Sequence, residues 1–171
     1  MADTEEIIDL TEEVEECVAV VPGKPEPMPR PRFWQHVVNT ARPQQKAFAA
    51  VVKDQIVQAR DGVVFGRKDL LHVEICFFMR RPNTDFRGAI RGEGRLKSNL
   101  SHFLVIKPDI DNLSKFVLDA LRGVLYVDDD QIVKLTAYKL RDSTGTCEGR
   151  TEVRVSKFNP SADFVNPIFS N

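Results

Sequence analysis

The sequence predicts a single globular domain of the α/β or α+β class, and three observations carry that reading. Residues 44–60 and 113–121 repeat apolar side chains at helical spacing. Residues 17–22, 70–79, 132–140 and 151–158 are short apolar or β-branched runs bounded by turn formers, the signature of strands. At 171 residues and 42% apolar content, the chain is long enough for one core and short for two.

Composition excludes several classes. No stretch reaches the apolar length of a membrane span, and the acidic N-terminus does not resemble a secretory signal. Cys17, Cys76 and Cys147 are an odd number at unrelated spacings, suiting neither a disulfide framework nor a zinc site. They predict reduced thiols in an intracellular, non-secreted protein of unspecified compartment. The net charge of -1 conceals an asymmetry. Residues 1–17 hold eight of the 25 acids and no base, so the remainder carries 17 acids against 24 bases, a net +7. Such an excess suits a polyanionic partner.

Taken in order, residues 1–16 read as an acidic flexible tail, residues 17–158 as the folded domain and residues 159–171 as an irregular C-terminal tail. Cys17–Pro22 predicts a buried first strand. Four prolines between Lys24 and Trp34 hold the next segment extended, so that Lys24, Arg30 and Arg32 can meet phosphates beside Phe33 and Trp34. Helix 44–60 has Phe48, Val51, Val52, Gln55, Ile56 and Ala59 on one face. Strand 70–79 contains His72, expected to be structural. Residues 80–103 read as a long basic loop (Arg80, Arg81, Arg87, Arg91, Arg95 and Lys97), a DNA-gripping flap. His102, at its end, is expected to be non-catalytic. The last two strands, 132–140 and 151–158, read as a hairpin closed by the turn 142–149.

The chemistry concentrates in two acidic clusters, Lys107-Pro108-Asp109-Ile110-Asp111-Asn112 and Asp128-Asp129-Asp130-Gln131. Val105-Ile106 should enter the first as strand, and Pro108 disfavours helix at Lys107. An extended backbone would aim Asp109 and Asp111 at one point and turn Ile110 to the core, with Asp111 or Asn112 capping the following helix. That helix presents Leu113, Phe116, Val117, Ala120 and Leu121 as its core stripe, with Lys115 and Asp119 opposite and Lys115 reaching back to the carboxylates. Gly123 ends it, and Leu125–Val127 returns as a short strand to the second cluster. Each acid alone is explicable as a turn residue, a cap or a surface charge. Packed together they repel, and a hard divalent cation is the usual compensation. Such a cation suits phosphodiester hydrolysis. No Cys–His pair, Ser–His–Asp set or P-loop competes.

The run 107–132, KPDIDNLSKFVLDALRGVLYVDDDQI, resembles the core of RusA-type Holliday junction resolvases; Gly23-Lys24-Pro25 and Arg30-Pro31-Arg32-Phe33 resemble their N-terminal segment. The resemblance spans roughly residues 17–158. It implies a mixed β-sheet of about four to five strands with two main helices packed on it, assembled as a homodimer. It also implies a Mg²⁺-dependent endonuclease, with Mn²⁺ as a substitute, acting on four-way or branched DNA in recombination and repair. By position, Asp109, Asp111, Lys115 and Asp129 are the catalytic residues. Asp109, Asp111 and Asp129 are metal ligands, with Asp128 a further candidate. The DNA-contacting set is Lys24, Arg30, Arg32, Arg80, Arg81, Arg87, Arg91, Arg95, Lys97 and Lys107. The acidic tail and the long basic loop depart from the usual pattern. A flap or fork nuclease, an inactive junction-binding protein and a Ca²⁺-binding module are the alternatives.

Overall fold

The computed structural model describes residues 14–29, 33–34, 36–37, 41–56, 63–88, 95–142 and 148–163. The expected tail 1–13 and Arg30, Arg32, Arg91 and Cys147 lie outside them, as do the side chains of Trp34 and Arg95.

Strand β1 (Glu16–Pro22) is followed by the two-residue strands β2 (Phe33–Trp34) and β3 (His36–Val37), which pair antiparallel. Helix α1 (Arg42–Ile56) carries Pro43 in its first turn, where the fixed φ of proline is compatible with helix. Strand β4 (Leu71–Met79) leads through a 3-10 turn to the short strands β5 (Phe86–Arg87) and β6 (Arg95–Leu96). Helix α2 (Ile110–Leu121) then stops at Gly123, which adopts φ +75. A second 3-10 turn (Asp129–Gln131), strands β7 (Ile132–Arg141) and β8 (Arg150–Lys157), and the single-turn helix α3 (Pro160–Asp163) complete the order.

The main sheet has the order β1-β8-β4-β7, with β4 and β7 parallel and the other pairs antiparallel. This is the mixed α+β sheet expected. Strands β1 and β4 alternate buried and less buried residues, so one face packs on helices and the other meets solvent. Cys17, Ala19 and Val21 of β1, Val73, Ile75 and Phe77 of β4, and Val153 and Val155 of β8 supply the covered face. Phe48 and Val52 of α1 and Leu113, Phe116, Val117 and Leu121 of α2 close over it. The helices meet where Phe48 and Phe116 pack edge to face with centroids 5.9 Å apart.

Five local expectations are corrected. Strand β1 is half-buried, with Val18 and Val20 exposed. It is a sheet edge, and Gln55 of α1 satisfies the outward N–H and C=O of Val20 at 2.8 and 2.7 Å. Strands β7 and β8 form no hairpin, because β4 lies between them. β4, α2 and β7 make a helical crossover, which parallel strands require. The chain then passes the end of β4, where Asp142 N–H donates to the Met79 carbonyl, and enters β8 beside β1, where Gly23 N–H donates to the Gly149 carbonyl. Segment 80–103 is not a plain loop. It contains β5 paired with β6, and the 3-10 turn buries Asp85 between Arg81 and Arg141. Val105 and Ile106 form no strand and are exposed; only Phe103 bridges to β7, at Leu140. Leu125–Val127 is likewise no strand but a turn with one bridge, Tyr126 to Arg122.

Candidate active site

The first cluster sits where an irregular segment becomes α2. Asp109 occupies the N-cap position in extended conformation (φ -73, ψ 145), but its side chain makes no capping bond. Asp111 already belongs to the first helical turn. Asp109 and Asp111 therefore do not share one extended strand, because the backbone turns helical at Ile110, and Ile110 is 39% exposed rather than in the core. Neither Asp111 nor Asn112 caps the helix. An acid near a helix N-terminus still faces unpaired N–H groups and the positive end of the dipole.

Asp111 borders two adjoining clefts. One, between α2 and β7, is lined by Asp111, Lys115, Asp119 and Asp129 over a floor of Leu135 and Ala137. The other, beside the segment leading into α2, is lined by Lys107, Asp109, Asp111 and Lys139. Lys107 and Ile106 also line a third cleft with Lys24, Arg80 and Arg141. Through shared lining residues the basic cleft thus adjoins the cleft of Asp109, and that one the cleft of Asp129.

The second cluster is sorted by its turn. The Asp128 side chain accepts from Asp129 N–H at 2.8 Å and pairs with Arg122 at 3.1 Å. Asp130 forms a two-pronged exposed ion pair with Arg67, whose bonds hold the Asp130 carboxyl below its ordinary range. That leaves Asp129 facing α2. A side-chain hydrogen bond with Asp128, then burial and the Asp128 charge, raise its carboxyl above the ordinary range. Asp128 thus serves as a cap and an Arg122 partner, away from the cleft that Asp129 lines.

Gln131 holds this turn from inside. It is 4% exposed, and its Oε1 accepts from Val127 N–H at 2.9 Å and Asp128 N–H at 3.1 Å. Its Nε2 donates to the carbonyls of Gly66 at 2.7 Å and Asp69 at 3.3 Å. The sequence places this residue in the second cluster without assigning it a role, although Asp128-x-x-Gln131 is a capping-box pattern.

Lys115 lines the same cleft as Asp111 and Asp129, but its ammonium points forward to Asp119, 3.6 Å away, rather than back to the first cluster. None of Asp109, Asp111 and Asp129 is ion-paired among the described residues. Three unpaired carboxylates along one groove are a hard-oxygen donor set, which fits a divalent cation of the Mg²⁺ type. They are not gathered at one point: among the described residues no three His, Cys, Asp or Glu side chains could hold a metal ion together.

The DNA-contacting set divides. Lys24, Arg87, Lys97 and Lys107 are exposed. Lys97 is tied to the Thr84 carbonyl at 2.6 Å, and Arg80 pairs with Glu148 at 2.6 Å. Arg81 is largely spent within the fold: it is 4% exposed, donates to the Asp142 carbonyl and pairs with Asp85, although it also borders the basic cleft. Arg141, absent from the expected set, lies in the basic cleft with one prong on Asp85 at 2.7 Å. His72 bonds Thr136 across the sheet at 3.1 Å, and His102 is exposed and lines none of these clefts.

Among the described residues no helix is long and apolar enough to cross a membrane. A search of curated proteins returns no match. The family model described as endodeoxyribonuclease RusA matches residues 22–156, a span containing the whole groove, and the chain belongs to that family of endonucleases.

Proposed function

We propose that the chain is a divalent-metal-dependent endonuclease, using Mg²⁺ with Mn²⁺ as a substitute, that resolves four-way DNA junctions by paired symmetric nicks. Family membership supplies the nuclease. The observation that carries the finer reading is the groove in which Asp111 joins the cleft of Lys115 and Asp129 to the cleft of Asp109 and Lys107.

Asp109, Asp111 and Asp129 would hold the cation. When bound it supplies Lewis-acid stabilisation of the phosphodiester and a more acidic water. Lys115, 60% exposed at its side chain and held only by a long contact to Asp119, is free to swing to a phosphate and offset charge developing on it. The basic cleft of Lys24, Arg80, Lys107 and Arg141 would take flanking phosphates of the same strand, fixing register without reading bases. Exposed Arg87 extends that surface. Arg30, Arg32, Arg91 and Arg95 stay in the proposed DNA-contacting set on sequence grounds. Two opposed strands must be cut, which a two-fold homodimer does with one site per subunit. The protein would act inside the cell, on DNA.

The test is cleavage of a mobile four-way junction, a flap and a plain duplex in Mg²⁺, with strand mapping and light scattering. Symmetric nicks on the junction, from a dimer, are expected, and Asp111→Asn should bind the junction without cutting it. Preferred cutting of the flap would move the assignment to a flap or fork nuclease. Full cleavage by Asp111→Asn would remove the active site proposed.

A further inference from the structure

The segment that carries Asp109 into α2 has little backbone support of its own. Among the described residues, its backbone–backbone hydrogen bonds stop at Leu104, whose N–H donates to the Lys139 carbonyl, and resume at Asp109 within α2. The side chain of Lys139 bridges that gap. Its ammonium donates to the Ile106 carbonyl at 2.6 Å and to the Pro108 carbonyl at 2.8 Å. Residue 139 thus holds the segment twice, by its backbone at Leu104 and by its side chain up to the residue before Asp109.

The placement follows from the sheet. Lys139 is the register partner of Phe77 in the parallel β4–β7 pair, so its side chain leaves the sheet on the helix-covered face. There it lines the cleft of Asp109 and Asp111 and is half-buried. An ammonium among acids would ordinarily take a carboxylate. Lys139 has no ion pair among the described residues, and two of its three donors go to backbone carbonyls. Hydrogen bonds from a charged donor are among the stronger ones in proteins.

We propose that Lys139 is a positioning residue: by clamping the Ile106 and Pro108 carbonyls it fixes where the Asp109 and Asp111 carboxylates stand, and so sets the affinity of the site for its cation. This rests on the reading of those aspartates as metal ligands. Residues that orient metal ligands from behind contribute about 10–100-fold in metal affinity or activity. Lys139 acts on the ligands and touches neither substrate nor metal.

Positioning and simple charge predict opposite signs. Removing a cation beside carboxylates should tighten binding of a second cation, whereas releasing the segment should weaken it. The experiment is calorimetric titration of Mn²⁺ into the DNA-free full-length protein, comparing the parent with Lys139→Met, Lys139→Arg and Asp111→Asn, each checked for fold by circular dichroism. Lys139→Met should raise the Mn²⁺ Kd about tenfold and lower kcat for junction nicking more than it raises KM. Lys139→Arg, which keeps charge and donors, should recover most of the affinity. Unchanged or tighter Mn²⁺ binding by folded Lys139→Met, or no recovery by Arg, overturns the proposal. If Lys139→Met does not fold, Lys139→Gln takes its place under the same criteria. Weakened binding by Asp111→Asn with none by the Lys139 variants sinks this inference alone. Parent-like binding by Asp111→Asn removes the metal-site reading and this inference with it.

Discussion

Replacing Gln131 with Met tests whether the acidic turn is placed by one buried amide. Met matches Gln closely in length and volume, so little cavity is left. What is lost is four hydrogen bonds: two accepted from Val127 and Asp128 N–H, and two donated to the Gly66 and Asp69 carbonyls. The Asp69 bond, at 3.3 Å, is the weakest. At about 0.5–1.5 kcal/mol net each, three good bonds and one poor one contribute on the order of 3 kcal/mol. In a chain of this size about 1 kcal/mol moves Tm by about 2–4 °C, so a fall of about 6–12 °C is expected by circular dichroism. The catalytic effect should exceed what stability explains. Gln131 ties the turn carrying Asp129 to the 66–69 loop, and a displacement near 1 Å costs about a hundredfold in rate. Junction nicking at 25 °C, where the variant stays folded, should fall by that factor in kcat. A Tm within about 2 °C of the parent would mean the turn holds without these bonds. Parent-like kcat in a destabilised variant would mean that Asp129 is positioned by something else.

Three further outcomes follow from the same geometry. Asp129→Asn should abolish nicking by about 10³-fold or more, whereas Asp130→Asn, which loses only an exposed pair with Arg67, should stay within about threefold in the same assay. Gly149→Ala should unfold early: φ is +115, and a Cβ would lie 3.1 Å from the Phe78 carbonyl oxygen and 3.2 Å from that of Gly23, both backbone atoms. The expected cost is about 2–4 kcal/mol, read as a Tm fall of about 4–16 °C, and nicking well below Tm should be unchanged. Asp129 sets a pH dependence. Its carboxyl is raised in the fold, so its ionised form is the disfavoured one; its contribution to stability is full below the unfolded value and is lost as pH rises through the folded one. Cation binding needs that ionised form and should strengthen over the same rise. Asp128→Asn keeps the capping oxygen but removes the neighbouring charge, so the midpoint of Mn²⁺ binding against pH should move to lower pH. An unmoved midpoint would show that the Asp128 charge does not perturb Asp129.

Much of this was legible in the sequence for identifiable reasons. The α2 stripe Leu113, Phe116, Val117, Ala120 and Leu121 is buried as its spacing predicts, because a one-sided helix has one way to bury its apolar face. Strands β1, β4, β7 and β8 fall within a residue of expectation. Strand partners were not legible. Adjacent strands with a short connection read as a hairpin, and nothing local announces that β4 takes the place between β7 and β8. Arg81 misled for a related reason. A guanidinium in a basic stretch looks like a phosphate ligand until the fold brings Asp85 and the Asp142 carbonyl to it. Lys139 was invisible because its partners are backbone carbonyls, which carry no sequence signature.

The three consecutive aspartates show how the fold assigns different chemistry to one residue type. Each begins with the same pKa and reach. Asp128 is drawn into the cap and toward Arg122, and Asp130 is drawn outward by Arg67. Each basic partner offsets one of the flanking charges, Arg122 from the C-cap of α2 and Arg67 from the segment before β4. Asp129, left between them, keeps no cation of its own and takes the remaining direction, toward Asp111 and Lys115. An Arg beside Asp129 would have neutralised the acid proposed to bind the metal. Placing Arg67 and Arg122 on the neighbours instead lowers the repulsion within the turn while leaving one carboxylate unpaired, and an unpaired carboxylate with a raised pKa is the one that gains most from a divalent cation.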